Sequence, residues 1–247
     1  MSYRLLAAIG ITAYLMLLVA TLPATMLDAA LARASNGRLR MVQANGTLWS
    51  GSAQIEILDA RQRTSIAIPL SWRVSLPTLW RAHLVCEIEL DRSGRYIPVT
   101  LSSSALKLSG ADLNVSAAVF GIALPQVAPL ALGGTLLAHI SSLEVTRTDI
   151  RTDAHIQWRD ASSALVRIVP LGNYQAHVGN SAPGLTLTLH TLQGPLQIDG
   201  NGAWNPGMRA SFAGSANTPL EHRAALSPLL RLIASENADG SFALQYR

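Results

Sequence analysis

The chain changes its hydrophobic rhythm twice. Leu5 to Leu22 (LLAAIGITAYLMLLVATL) is an apolar run without a charge, preceded by Arg4. Eighteen residues rise about 27 Å as a helix, enough for a bilayer core. A cleaved signal peptide would carry a shorter apolar region and a small-residue cleavage site. Pro23 followed by Ala24-Thr25-Met26 is a poor match, and Ala30-Leu31-Ala32 lies far downstream. The run therefore predicts an uncleaved anchor. From Met26 to Ser35 the pattern predicts a short Ala/Leu-rich helix, with Asn36-Gly37 as its stop.

Beyond that point the period is two. In Ser65–Val74 the positions Ile66, Ile68, Leu70, Trp72 and Val74 alternate with smaller or polar residues, the signature of a one-faced strand. Pro69 places that strand at a sheet edge or bulge. Leu113–Ala117, Ala154–Trp158 and Leu185–His190 alternate likewise. The turn signals between strands are Asn45-Gly46, Ser93-Gly94, Gly133-Gly134, Ala182-Pro183-Gly184 and Asn205-Pro206-Gly207. Strands and turns without intervening helices predict an antiparallel all-β domain, a sandwich or an open half-barrel. Near the end, Thr218-Pro219-Leu220-Glu221 reads as a capping box with proline at the first helical position. Pro228 predicts a kink or two short helices, Ser227 capping the second. Asp239-Gly240 then turns into a last strand, Ser241–Tyr246.

This gives a cytoplasmic tail at 1–4, an anchor at 5–22, a juxtamembrane helix at 23–37 and a β-rich domain at 38–247. Arg33, Arg38 and Arg40 against Asp28 do not favour translocation, but long trailing domains cross largely regardless of charge. The very short amino-terminal tail favours an anchor with its N-terminus inside and the domain outside.

Composition narrows the function classes. Charged residues are 14% of the chain, net charge is +4, and of nineteen basic residues only Lys107 is a lysine. The pairs Arg38/Arg40 and Arg61/Arg63 have no interleaved aromatics and no nucleic-acid motif, so a nucleic-acid partner is not expected. Cys86 is the sole cysteine, which excludes an intrachain disulfide; its place in Leu84–Leu90 reads as a small buried hydrophobe.

Candidate chemistry is sparse. Gly46–Gly51 lacks the nucleophile-elbow spacing. His83, His139, His155, His177, His190 and His222 never stand at metal-ligand spacing along the chain. No enzyme activity, metal or cofactor is expected. There is an internal echo: Gly46-Thr47-Leu48 precedes Trp72, Gly134-Thr135-Leu136 precedes Trp158, and Gly194-Pro195-Leu196 precedes Trp204. It predicts repeated sheet units.

Gly46-Thr47-Leu48-Trp49-Ser50-Gly51-Ser52-Ala53, shortly after the anchor, resembles the G-T-L-W-x-G-x-A signature of the type II secretion system protein N family. Gly194, Leu196, Gly200, Gly202 and Trp204, followed by Phe212 and Gly214, are similar to that family's G-x-L-x-x-x-G-x-G-x-W…F-x-G-x-A segment. Ile233-Ala234-Ser235 departs from its expected leucine-glycine pair, and Gly110–His177 matches in texture only. The resemblance implies a Gram-negative, single-pass inner-membrane protein with a periplasmic domain, an accessory subunit beside other secretion subunits or the secretin. It implies no catalysis and no cofactor. It also suggests kinship with AsmA-like proteins, which would make membrane lipid a partner of an apolar β-groove. The motif glycines and tryptophans read as structural positions. A packed core and a lipid groove both alternate in this way, so the pattern leaves them open.

Overall fold

The computed structural model describes residues 3–58, 65–75, 83–90, 94–123, 127–181, 184–205, 210–236 and 242–246, without the side chains at 4–6, 8, 65, 66, 122, 123, 236 and 246. The expected turns at Ala182-Pro183, Pro206-Gly207 and Asp239-Gly240, and the Arg61/Arg63 pair, lie outside the described residues. The chain forms two compact units, Met1–Pro98 and Val99–Arg247.

In the first unit the apolar run winds into helix α1 (Tyr3–Ala20). Among the described residues no helix is long and apolar enough to cross a membrane. Helix α2 (Thr25–Ala34) follows Pro23 and stops at Asn36 and Gly37, whose φ angles of 52° and 78° no helix continues. Strands β1 (Leu39–Gly46), β2 (Ser50–Leu58), β3 (Ser65–Ser75) and β4 (His83–Leu90) then pair antiparallel in chain order. The strand carrying Pro69 is thus an inner one, not an edge. Pro69 faces Gln54 without a register shift, because unbroken pairing from Ser50↔Arg73 to Leu58↔Ser65 outweighs one missing donor. Met41, Ala53 and Trp72 are buried on one face, with Leu27 and Leu31 of α2 packed against them. Cys86 is half-buried beside this cluster, and burial pushes its thiol pKa up.

In the second unit β5 (Tyr96–Ser102), which straddles the boundary, pairs with β6 (Ala105–Ser116). A one-turn helix α3 (Val119–Ala123) leads to β7 (Leu132–Thr146), β8 (Ile150–Ser163), β9 (Gly172–Asn180), β10 (Leu185–Gln193), β11 (Gln197–Trp204) and β12 (Ser211–Asn217). Each pairs antiparallel with the next. Helix α4 (Leu220–Ile233) intervenes before the two-residue β13 (Ser235–Glu236) and β14 (Phe242–Tyr246). Here chain order breaks: β14 pairs with β12, and β13 lies outside β14. These strands form one open sheet, not the two stacked sheets of a sandwich.

Alternation sorts this sheet into two faces. Ile156, Trp158, Tyr174, Ala176, Leu187 and Leu189 share one, and α4 covers part of it. Leu226, Leu229 and Leu230 of the helix bury against Tyr174, Leu196, Ala216, Phe242 and Leu244. Farther along the strands the same face holds an apolar cavity of about 240 Å³, lined by Val178, Leu185, Leu187, Trp204 and Phe212.

The capping box does not form. Pro219 is the N-cap, so the helix starts one residue later than the box requires, and the buried Thr218 hydroxyl has no hydrogen-bond partner among the described residues. Nor does Ser227 cap a second helix. Its hydroxyl donates to the Ala224 carbonyl at 3.0 Å, and one helix runs through Pro228.

Candidate functional site

The residues Gly46–Gly51 close the β1–β2 turn and clasp the end of α1. Gly46 has φ +96°, a conformation costly for any side chain, and a Cβ there would meet the Ser50 carbonyl at 2.5 Å. Its carbonyl accepts from Ala24 N–H at 3.2 Å. The Thr47 hydroxyl accepts from the backbone N–H groups of Trp49 and Ser50 at 3.3 and 3.2 Å, which fixes the turn. Leu48 N–H donates to the Leu22 carbonyl at 2.8 Å, and its own carbonyl accepts from the Trp72 indole at 3.2 Å. The Trp49 indole donates to the Val19 carbonyl at 2.9 Å, at the end of α1. Gly51 lies opposite Trp72, and a Cβ on it would strike the Asn45 carbonyl and the Trp72 ring. The motif therefore joins helix to sheet through backbone carbonyls, with Trp72 over the glycine gap.

A charged fork reinforces the clasp. Arg40 donates to Asp28 through Nε at 3.1 Å and Nη2 at 3.0 Å, and Met41 N–H donates to the same carboxylate at 2.8 Å. The guanidinium and the backbone N–H hold the Asp28 pKa below the usual carboxylate range.

The second motif sits in the other unit and is built from packing. Gly194 has φ +138° in the β10–β11 turn, and Leu196 is 2% exposed. The Leu196 carbonyl accepts from the buried Tyr174 hydroxyl at 2.8 Å; burial raises that phenol well above its ordinary pKa. Gly200 faces Gly214, and Gly202 faces Phe212. A Cβ on Gly200 would come within 2.6 Å of the Phe212 ring, and one on Gly214 within 3.2 Å, so the ring lies across a floor of glycines. Trp204 pairs with Leu185 and lines the apolar cavity.

The internal echo proves to be a recurring tether. Trp72 reaches Leu48 O, and Trp158 reaches Gly133 O at 2.9 Å. In the third case the partner is Tyr174, upstream of Leu196, and not Trp204. Trp72 on β3 reaches the turn ahead of β2, and Trp158 on β8 reaches the start of β7, whereas Tyr174 on β9 reaches the turn ahead of β11.

The histidines correct the linear reading. His155 on β8 and His177 on β9 face one another directly, their rings stacked with centroids 4.5 Å apart. His177 Nε2 lies 2.9 Å from Asp153 Oδ1. Asp153, His155 and His177 bring three ligand atoms within 4.8 Å of one another. Cross-strand register made this cluster, which spacing along one strand does not reveal; the sequence signal was Asp153-x-His155 on a polar strand face.

A search of curated proteins and a search of solved structures each gave no match. The family model for type II secretion system (T2SS), protein N, matches residues 37–245, which takes in both motifs with their turns and glycine floor. The chain belongs to the type II secretion system protein N family.

Proposed function

We propose that this chain is an accessory subunit of the type II secretion machinery, held at the inner membrane by Leu5–Leu22, with both β-rich units on the periplasmic side. It works through contacts with other secretion subunits or the secretin. The family match over 37–245 carries this reading. Two further features support it. The uncharged eighteen-residue Leu5–Leu22 run supplies the anchor in this reading, although helix α1 as described ends at Ala20, two residues short of the run's end. The family motif grips the end of α1, with Trp49 donating to Val19 O, a suitable place for an indole at a membrane surface.

Alkaline phosphatase fused after Arg247 tests the topology and is expected to be active in cells. A dark enzyme alongside a bright cytoplasm-only fluorescent fusion would reverse it. Crosslinking in cells that carry the secretion genes is expected to capture inner-membrane subunits or the secretin. Capture of neither, with phospholipid retained at a fixed ratio in native mass spectrometry, would replace the subunit reading with lipid handling by the apolar face of β9–β12.

A further inference from the structure

We propose that Asp153, His155 and His177 form a binding site for a divalent transition-metal ion of the zinc class. The inference is independent of the secretion role. It starts from register: β8 and β9 pair antiparallel with His155 opposite His177. Asp153 stands two residues before His155, so all three side chains rise from the same face. That face is solvated, and His155 is exposed.

Two local features aim the ligands. Gly179, two residues after His177, leaves room where a side chain would stand. A Cβ there would come within 3.2 Å of the His177 ring, so the imidazole occupies the glycine's space and meets Asp153. Beside it, a register shift in β7 falls between Ile140 and Ser142, opposite Asp153. Such bulges re-aim neighbouring side chains. The shift is pinned by the Thr152 hydroxyl on the Ser142 carbonyl at 3.0 Å, and Asn180 Oδ1 holds Thr152 N–H at 2.9 Å.

The donor set selects the ion. Two imidazoles and one carboxylate suit zinc and its neighbours in the transition series, whereas calcium and magnesium prefer all-oxygen sites. Bound nitrogens and oxygens lie about 2.0–2.2 Å from zinc. Three ligand atoms already within 4.8 Å need only side-chain rotation to close on such an ion. His139, the next residue in the same cross-strand row, is engaged by Asp112 at 2.7 Å and leaves the set at three. The fourth position faces solvent, open to water or to a donor from another subunit.

Zinc chloride titrated calorimetrically into untagged full-length protein in detergent tests the site. One ion per chain is expected, with affinity falling about tenfold or more in H177Q and D153N. H190Q, on the same face but held by Asp199, is expected to bind as the parent does. Gly179→Val places a β-branched residue in a strand, which the fold accepts, and pushes the His177 ring aside; binding is expected to weaken while the melting curve persists. Cobalt(II) as a probe is expected to show the visible absorption of a low-symmetry nitrogen–oxygen site, and H155Q to abolish it. Failure of the parent to bind zinc, or binding by H155Q and H177Q as tight as the parent's, would overturn the proposal.

Discussion

The two motif regions solve one problem by different means. In each, an aromatic ring on one strand covers a glycine on its neighbour: Trp72 over Gly51, and Phe212 over Gly202 with Gly200 and Gly214 beside it. In the first unit the ring is also a donor, and Trp72 and Trp49 spend their indole N–H groups on carbonyls of the turn and of α1. Phe212 has no donor and contributes shape alone. Directional bonds fix where a segment points, whereas apolar contact fixes only that it is covered. The first region is thus built to orient the amino-terminal helix, and the second to close a sheet.

Substitutions of decreasing severity test this contrast, each followed by hydrogen exchange of peptides from both units. Trp72→Ala is expected to do most, costing about 3–5 kcal/mol because a buried ring leaves a cavity; Trp72 is 6% exposed. Loss of protection confined to Val99–Arg247 would refute the assignment. Phe212→Ala removes a half-buried ring and is expected to cost about 1–2 kcal/mol, with deprotection centred on β11 and β12. Phe212→Leu, which keeps apolar cover, is expected to recover most of that; no recovery would mean that the ring's flat shape matters beyond its area.

Trp49→Phe keeps the ring and deletes the donor to Val19 O. About 1 kcal/mol is expected, seen as faster exchange at the end of α1 with the sheets unchanged. Unchanged exchange there would remove the orienting role. The smallest effect concerns pH. The Asp28 pKa is lowered in the folded chain, so its contribution is complete above the unfolded carboxylate value and is lost as pH falls through the folded one. Asp28→Asn is expected to flatten the acid limb of the stability profile in the first unit and leave the second unit's limb as it was.

Much of this was legible in the alternation. Period two marked the strands and told which side chains share a face, as at Ile68, Leu70 and Trp72. Asn36-Gly37 stopped α2 because its backbone turns left-handed there. What alternation cannot give is the neighbour. That β14 pairs with β12 across an intervening helix, that His155 meets His177, and that Tyr174 rather than Trp204 tethers the third Gly-x-Leu turn are facts of pairing between distant segments. Thr218 failed as a cap for a local reason: its spacing fits the box, but α4 begins one residue too late.

The strands at the two ends of the strand order, β1 and β13, bear on behaviour in a crowded envelope. A strand at a border offers backbone donors to any other chain and is where sheets aggregate. On β1 two such donors are taken by the α2 region: Leu39 N–H goes to the Ser35 hydroxyl at 3.0 Å, and Met41 N–H to Asp28. At the far margin of the second unit the two residues of β13 cover Phe242 and Ala243, and the rest of β14 extends beyond them. Both borders are thus partly blunted as templates for a second copy, β1 by two capped donors and β14 by a two-residue strand, which disfavours edge-to-edge growth.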